Sequence, residues 1–267
     1  MIAPRVSDAI ERIQTEQKQV TAERTAFERF IKRVAALDSS KRLSGTDVRS
    51  LSSHQNQKGI SVVNQPIQEI SPQNADSGSK SIESVWTAYE ETVMSVSHHQ
   101  DVYGESLVED FTAELGQNLV CMLTENDVLT PQLQTAILNQ GQQARKRRTD
   151  LLNQVEAEHK TLVNVRRQLR ELSETTTAIE KNLSSRPFQE LVQSWERLEM
   201  MTVECETLLR ERQANIQTGK KLVSMESVQQ YLYQPFQWRY PVLNDGLEVV
   251  TCIQEAKQET ANAIYDW

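Results

Sequence analysis

The stretch from Thr130 to Gly219 constrains the chain most, because it spells two long helices folded back on each other through one short turn. Thr130-Pro131 is a helix start: the Thr oxygen caps free backbone N–H groups, and Pro at the first helical position loses no bond. From there to Ser184 no further Pro appears and Gly141 is the single Gly. The apolar seam runs Leu151, Val155, Leu162, Val165, Leu169, Leu172, Ile179 and Leu183, with Glu158 and Thr176 in its two gaps. Alternating steps of three and four keep one stripe turned toward a partner helix. Ser184-Ser185-Arg186-Pro187 breaks the pattern. The seam resumes at Phe188, Leu191, Trp195, Leu198, Thr202, Cys205, Leu209, Arg212 and Ile216, and Gly219 is a stop signal. So short a connection makes the helices antiparallel neighbours. At 1.5 Å per residue the first would reach roughly 80 Å and the second about 45 Å, so Leu133 to Asp150 must find cover elsewhere or stand in solvent.

The predicted fold class is all-α: a long antiparallel coiled-coil hairpin and helical bundle with a small helical head and a disordered linker. Residues 1–38 read as an N-terminal amphipathic helix, from Ser7 to Leu37, with the seam Val6, Ile10, Ile13, Gln17, Val20, Arg24, Phe27, Ile31 and Val34. Residues 39–80 are a Ser/Gln/Asn-rich stretch too poor in apolar side chains to offset its chain entropy, hence a flexible linker. Residues 81–129 form a compact head of three short helices, Ile82 to Val96, Ser106 to Leu115 and Asn118 to Thr124, packed on Leu133 and Ile137. The hairpin occupies 130–219. Residues 220–267 hold a short helix from Met225 to Leu232, a Pro/aromatic strap, and a last helix whose seam is Val242, Gly246, Val249, Ile253, Ala256, Thr260, Ala263 and Trp267.

Composition narrows the function. Aromatics make up 6% of the chain and the net charge is −8, which suits long helices and disfavours a general role on polyanions. The beginning carries no apolar run of signal-peptide type, and no window approaches the ~18 apolar residues needed to cross a bilayer. The three cysteines, Cys121, Cys205 and Cys252, are scattered without paired spacing, which points to a reducing interior. The expectation is a cytoplasmic protein with no membrane contact.

Four features compete as sites. His98-His99 with Asp101 is the one local cluster of metal-ligand types. Zinc needs three or four ligands at known spacings, so helix-end packing is the stronger reading even with Cys121 brought near. Arg145-Lys146-Arg147-Arg148 is the densest charge run; it wraps around the helix axis, as a solvated face beside Asp150, Glu156 and Glu158 or as a nucleic-acid contact. In a cytoplasm of molar salt the Debye length falls to about 3 Å and phosphate-driven binding collapses. Phe236, Trp238 and Tyr240, bracketed by Pro235 and Pro241, read first as a buried strap and second as a partner patch. No Gly-rich phosphate loop, nucleophile elbow or supported carboxylate pair is present, so no catalytic residue, cofactor, metal set or small-molecule ligand is expected.

Tyr89-Glu-Glu-Thr-Val-Met94, then His98, Tyr103-Gly104-Glu105 and Glu114-Leu115-Gly116, together with Leu129-Thr130-Pro131, Leu133, Tyr231-Leu232-Tyr233 and Tyr240-Pro241-Val242-Leu243, resemble a family of uncharacterised haloarchaeal long-helix proteins. The likeness spans most of the chain outside the linker. Gln and Asn stand where that family's usual acidity would place carboxylates. The resemblance implies class and source and supplies no active-site residues. Together these readings lead to a non-enzymatic interaction or scaffold protein whose partner is protein, itself or another. The alternative is a nucleic-acid-associated regulator using Arg145, Lys146, Arg147 and Arg148.

Overall fold

The computed structural model describes residues 3–37, 75–126, 128–181, 183–218 and 228–267. Among these the elements are α1 (Pro4–Ala35), α2 (Ala75–Thr92), α3 (His99–Val102), α4 (Leu107–Leu115), α5 (Gln117–Glu125), α6 (Pro131–Glu180), a 3-10 turn (Leu183–Ser185), α7 (Phe188–Thr218), α8 (Val228–Tyr233) and α9 (Pro241–Tyr265), with no strand. The all-α class expected from the periodicity is the class observed. The expected linker falls almost wholly on residues 38–74, outside the described set, as does the Gly219 stop. Several boundaries move, the end of α2 from Val96 to Thr92 among them. α1 begins at Pro4, where proline's missing N–H costs nothing, and α2 begins at Ala75 instead of Ile82. α3, a single turn at His99, was not anticipated.

The described chain gathers into two compact units: Met1–Ala22 with Arg147–Trp267, and Glu23–Lys146. The division follows no helix end, since α1 and α6 each contribute residues to both.

In the first unit α6 and α7 run antiparallel, fixed by Arg212 on Glu158 at one level and by the turn at the other. The turn is closed by Arg186, whose guanidinium donates to the Ala178 and Lys181 carbonyls at 3.0 and 3.3 Å and to Ser194 Oγ at 2.9 Å. Carbonyls at the end of a helix have no partner along it, so one arginine both ends α6 and ties it to α7. Val155, Leu162, Val165, Leu169, Leu172 and Ile179 are buried as the seam requires. On α7 the column Leu191, Leu198, Cys205, Arg212 is buried as expected. The companion column is Ser194 and Met201, not Trp195 and Thr202, and Phe188 is exposed. α9 packs on α7 through Val242, Val249, Ile253 and Ala256. At Gly246 the approach is tight enough that a Cβ would collide with Leu209 Cδ2.

The second unit is built on Phe27, Phe30, Tyr89 and Phe111, which meet edge to face or tilted, with Val85, Leu115, Leu119, Leu133 and Ile137 around them. Ser106 starts α4 with a reciprocal capping box to Glu109, and Gly116 at φ 97° turns the chain from α4 into α5. The upper part of α6 is therefore covered within its own chain: Gly141 lets Phe30 and Ile31 of α1 approach, and Gln134 Nε2 donates to the Val34 and Leu37 carbonyls at 2.8 Å each.

Candidate functional site

The α1 seam shows how the polar sites arise. Val6, Ile13, Val20, Phe27 and Val34 are buried as expected. The second column is Ala9, Glu16, Glu23 and Phe30, one residue before the Ile10, Gln17, Arg24, Ile31 column read from the sequence, although Ile10 is buried as well. Gln17 and Arg24 are only partly buried. Two carboxylates thus replace an amide and a guanidinium at the seam, and each is answered by donors from another element. Arg12 sits 3.0 Å from Glu16, and Tyr231 donates to Glu16 at 2.5 Å. Glu23 meets His98 Nε2 at 2.9 Å and accepts from Tyr103 at 3.1 Å.

Glu158 and Arg212, the two polar interruptions of the hairpin seam, find each other. The pair is bidentate, at 2.5 and 3.0 Å, with side chains 7% and 4% exposed, so both charges are withdrawn from water. Tyr233 donates to Glu158 Oε1 at 2.5 Å, and Gln229 Nε2 reaches Oε2 at 3.4 Å. All four acceptor positions of the carboxylate are in use. Burial works against the Arg212 charge, but the Glu158 bonds outweigh it and hold its pKa above the ordinary value. Burial first, then the adjacent carboxylate, drives the Tyr233 phenol far upward, which keeps it a donor. A fourth carboxylate, Asp245, accepts from the Val6 N–H at 2.8 Å and from Arg5 at 2.9 Å, joining α1 to α9. Asp245 was not read from the sequence; its signal is an acid beside the apolar Val242–Val249 stripe.

Beside the Glu158–Arg212 pair, α6 and α7 leave an open groove of about 730 Å³. Val165, Leu172 and Leu208 form its floor, Met200 and Val203 its outer edge, and Lys160, Glu204 and Glu211 its charged rim. Met200 is 56% and Val203 54% exposed, while neighbouring Met201 is fully buried.

The expected sites fare differently. Phe236 and Trp238 stack at 4.1 Å and 11° and rest partly buried against the first unit's core, whereas Tyr240 is exposed and precedes α9. Within the basic run Arg145 and Lys146 are exposed, Arg147 and Arg148 half-buried, and Arg145 acts favourably on the Glu28 carboxylate. His98 and His99 do not converge. His99 Nε2 lies 2.5 Å from Asp110, which also accepts from Tyr89 at 2.6 Å, while His98 turns to Glu23. Asp101 and Cys121 are exposed. Among the described residues no three His, Cys, Asp or Glu side chains gather as a metal set, and no helix is long and apolar enough to cross a membrane.

These features define an all-α protein with charges paired and buried between its helices and an open groove on its hairpin. Residues 4–257 match the family described as Domain of unknown function (DUF7260), and the chain belongs to that family. No curated protein and no solved structure matches it.

Proposed function

We propose that this is a cytoplasmic, non-enzymatic interaction protein of haloarchaeal source, working as a scaffold through the outer faces of a coiled-coil hairpin. The observation that carries the reading is the open α6–α7 groove, whose edge keeps Met200 and Val203 in water while every buried charge of the unit serves to hold helices together. Exposed apolar side chains beside a polar rim are the anatomy of a surface that meets another protein. Few lysines beside many carboxylates support the saline source.

The test is cross-linking in the native cytoplasm, with a photoreactive group placed at Val203. Specific adducts to protein are expected, lost on Met200→Asp. The competing outcome is binding to duplex DNA. Binding that weakens steeply with salt and drops on Arg145→Ala/Lys146→Ala would replace the scaffold reading with the nucleic-acid one.

A further inference from the structure

The charges at the groove are ordered: Lys160, Glu204 and Glu211 line it, and Arg167 lies just outside the lining. Lys160 and Arg167 lie seven residues apart on α6, two helical turns, and so share one face. Glu204 and Glu211 repeat that spacing on α7. All four side chains are exposed. Lys160 is paired along its own helix with Glu156 at 2.8 Å and Arg167 with Glu171 at 2.9 Å, exposed contacts of the kind that exchange readily. Among the described residues Glu204 and Glu211 have no ion-pair partner, although Lys160 lines the same groove.

The register of the hairpin turns this into geometry. Glu158 bonds Arg212, so those two positions stand level, and α7 descends as α6 rises. Lys160 therefore stands level with Glu211, and Arg167 with Glu204, each to within about one residue's rise of ~1.5 Å. A two-fold rotation about an axis parallel to both helices leaves every residue at its own height and lays α6 of one copy on α7 of the other. Lys160 then meets the partner's Glu211, Arg167 meets the partner's Glu204, and symmetry repeats both pairs. Two antiparallel hairpins joined this way make four helices in an isologous contact.

We propose that the α6–α7 groove is a self-association surface, occupied by a second copy of this chain and registered by Lys160 and Arg167 against Glu204 and Glu211. The proposal rests on the interaction reading and names its partner. The contact covers Met200 and Val203. Because the groove mixes apolar and polar walls, it suits copies that separate and rejoin. Rim charges set register and encounter more than strength.

Sedimentation of the full chain at low salt tests it. The wild type is expected to pass from monomer to dimer as concentration rises, and to shift back with salt. Lys160→Glu/Arg167→Glu and Glu204→Lys/Glu211→Lys each place like charges across the contact, and each should raise the dissociation constant about tenfold or more. An equimolar mixture of the two variants restores both sets of pairs and should dimerise as the wild type does. All four positions are exposed, and circular dichroism checks that helicity is unchanged. A wild type that stays monomeric at every concentration overturns the proposal, as does a mixture of helical variants that fails to associate. Either result leaves the scaffold reading standing if the Val203 cross-links to other proteins persist; their loss would remove that reading as well.

Discussion

The first unit buries Glu158 against the guanidinium of Arg212; the second buries Asp110 against the imidazole of His99. In each, a tyrosine hydroxyl adds a bond to the same carboxylate, Tyr233 in one and Tyr89 in the other. The partners differ in kind. A guanidinium matches a carboxylate with two parallel bonds, whereas the His99 imidazole meets its carboxylate through one nitrogen. The first arrangement joins α6, α7 and α8 through a bidentate ion pair withdrawn from water, so the loss of one partner is severe. The second joins α2, α3 and α4 through one ring-nitrogen contact and one phenol bond.

The largest expected effect follows from that difference. Arg212→Leu leaves Glu158 buried with only Tyr233 and Gln229, and should cost about 3–5 kcal/mol of unfolding free energy. Adding Glu158→Leu removes the stranded charge and should recover most of the loss, because a buried ion pair and a packed apolar pair are nearly equivalent in stability. Urea unfolding of the two variants measures both steps; a double variant no better than the single one would show that the pair itself supplies the stability. Next in size is His99→Ala. Asp110 keeps its Tyr89 bond and loses a single contact, so about 1–3 kcal/mol is expected. Equal losses for His99→Ala and Arg212→Leu would erase the distinction between the two units.

The sequence made both columns of α6 legible, but on α1 and α7 it placed one column and misplaced the other. Val6, Ile13, Val20, Phe27 and Val34 on α1, and Leu191, Leu198, Cys205 and Arg212 on α7, are apolar or central enough to fix the repeat. The companion column can follow by three residues or by four, and periodicity alone does not choose. On α1 the apolar Ile10 and Ile31 favoured the wrong choice, and on α7 Trp195 did. Arg12 and Arg186 answer Glu16 and Ser194 from nearby, but Tyr231, His98 and Tyr103 supply bonds to Glu16 and Glu23 from 75 to 215 residues away. That information lies in no local window. For the same reason the Glu158 and Arg212 interruptions were visible as anomalies, but their pairing across 54 residues was not. The groove was harder still, since Met200 and Met201 are equivalent by composition and only the helix rotation exposes the first and buries the second.

The smallest effect separates the units by pH. Burial, followed by the neighbouring Glu204 and Glu206, pushes the Cys205 thiol from 9.0 to about 11, and it donates to the Gly246 carbonyl at 3.7 Å. Tyr233 is raised also, for the reasons given above. A group whose pKa is higher in the folded state binds its proton more tightly there. Its stabilisation is complete below the unfolded pKa and disappears as pH climbs through the folded one. For Cys205 the loss runs between 9.0 and about 11, and for Tyr233 it begins near the unfolded phenol's ~10 and continues upward. The melting temperature of the wild type should therefore fall as pH rises above about 9. Tyr233→Phe should cost about 1–2 kcal/mol at neutral pH, through one lost bond to Glu158, and should flatten the upper part of the alkaline fall. Cys205→Ala should flatten its lower part. The discriminating quantity is the slope of melting temperature against pH: parallel slopes for wild type and Tyr233→Phe would show that the phenol ionises as freely in the folded chain as in the unfolded one, which a hydroxyl sealed between Arg212 and Glu158 cannot do.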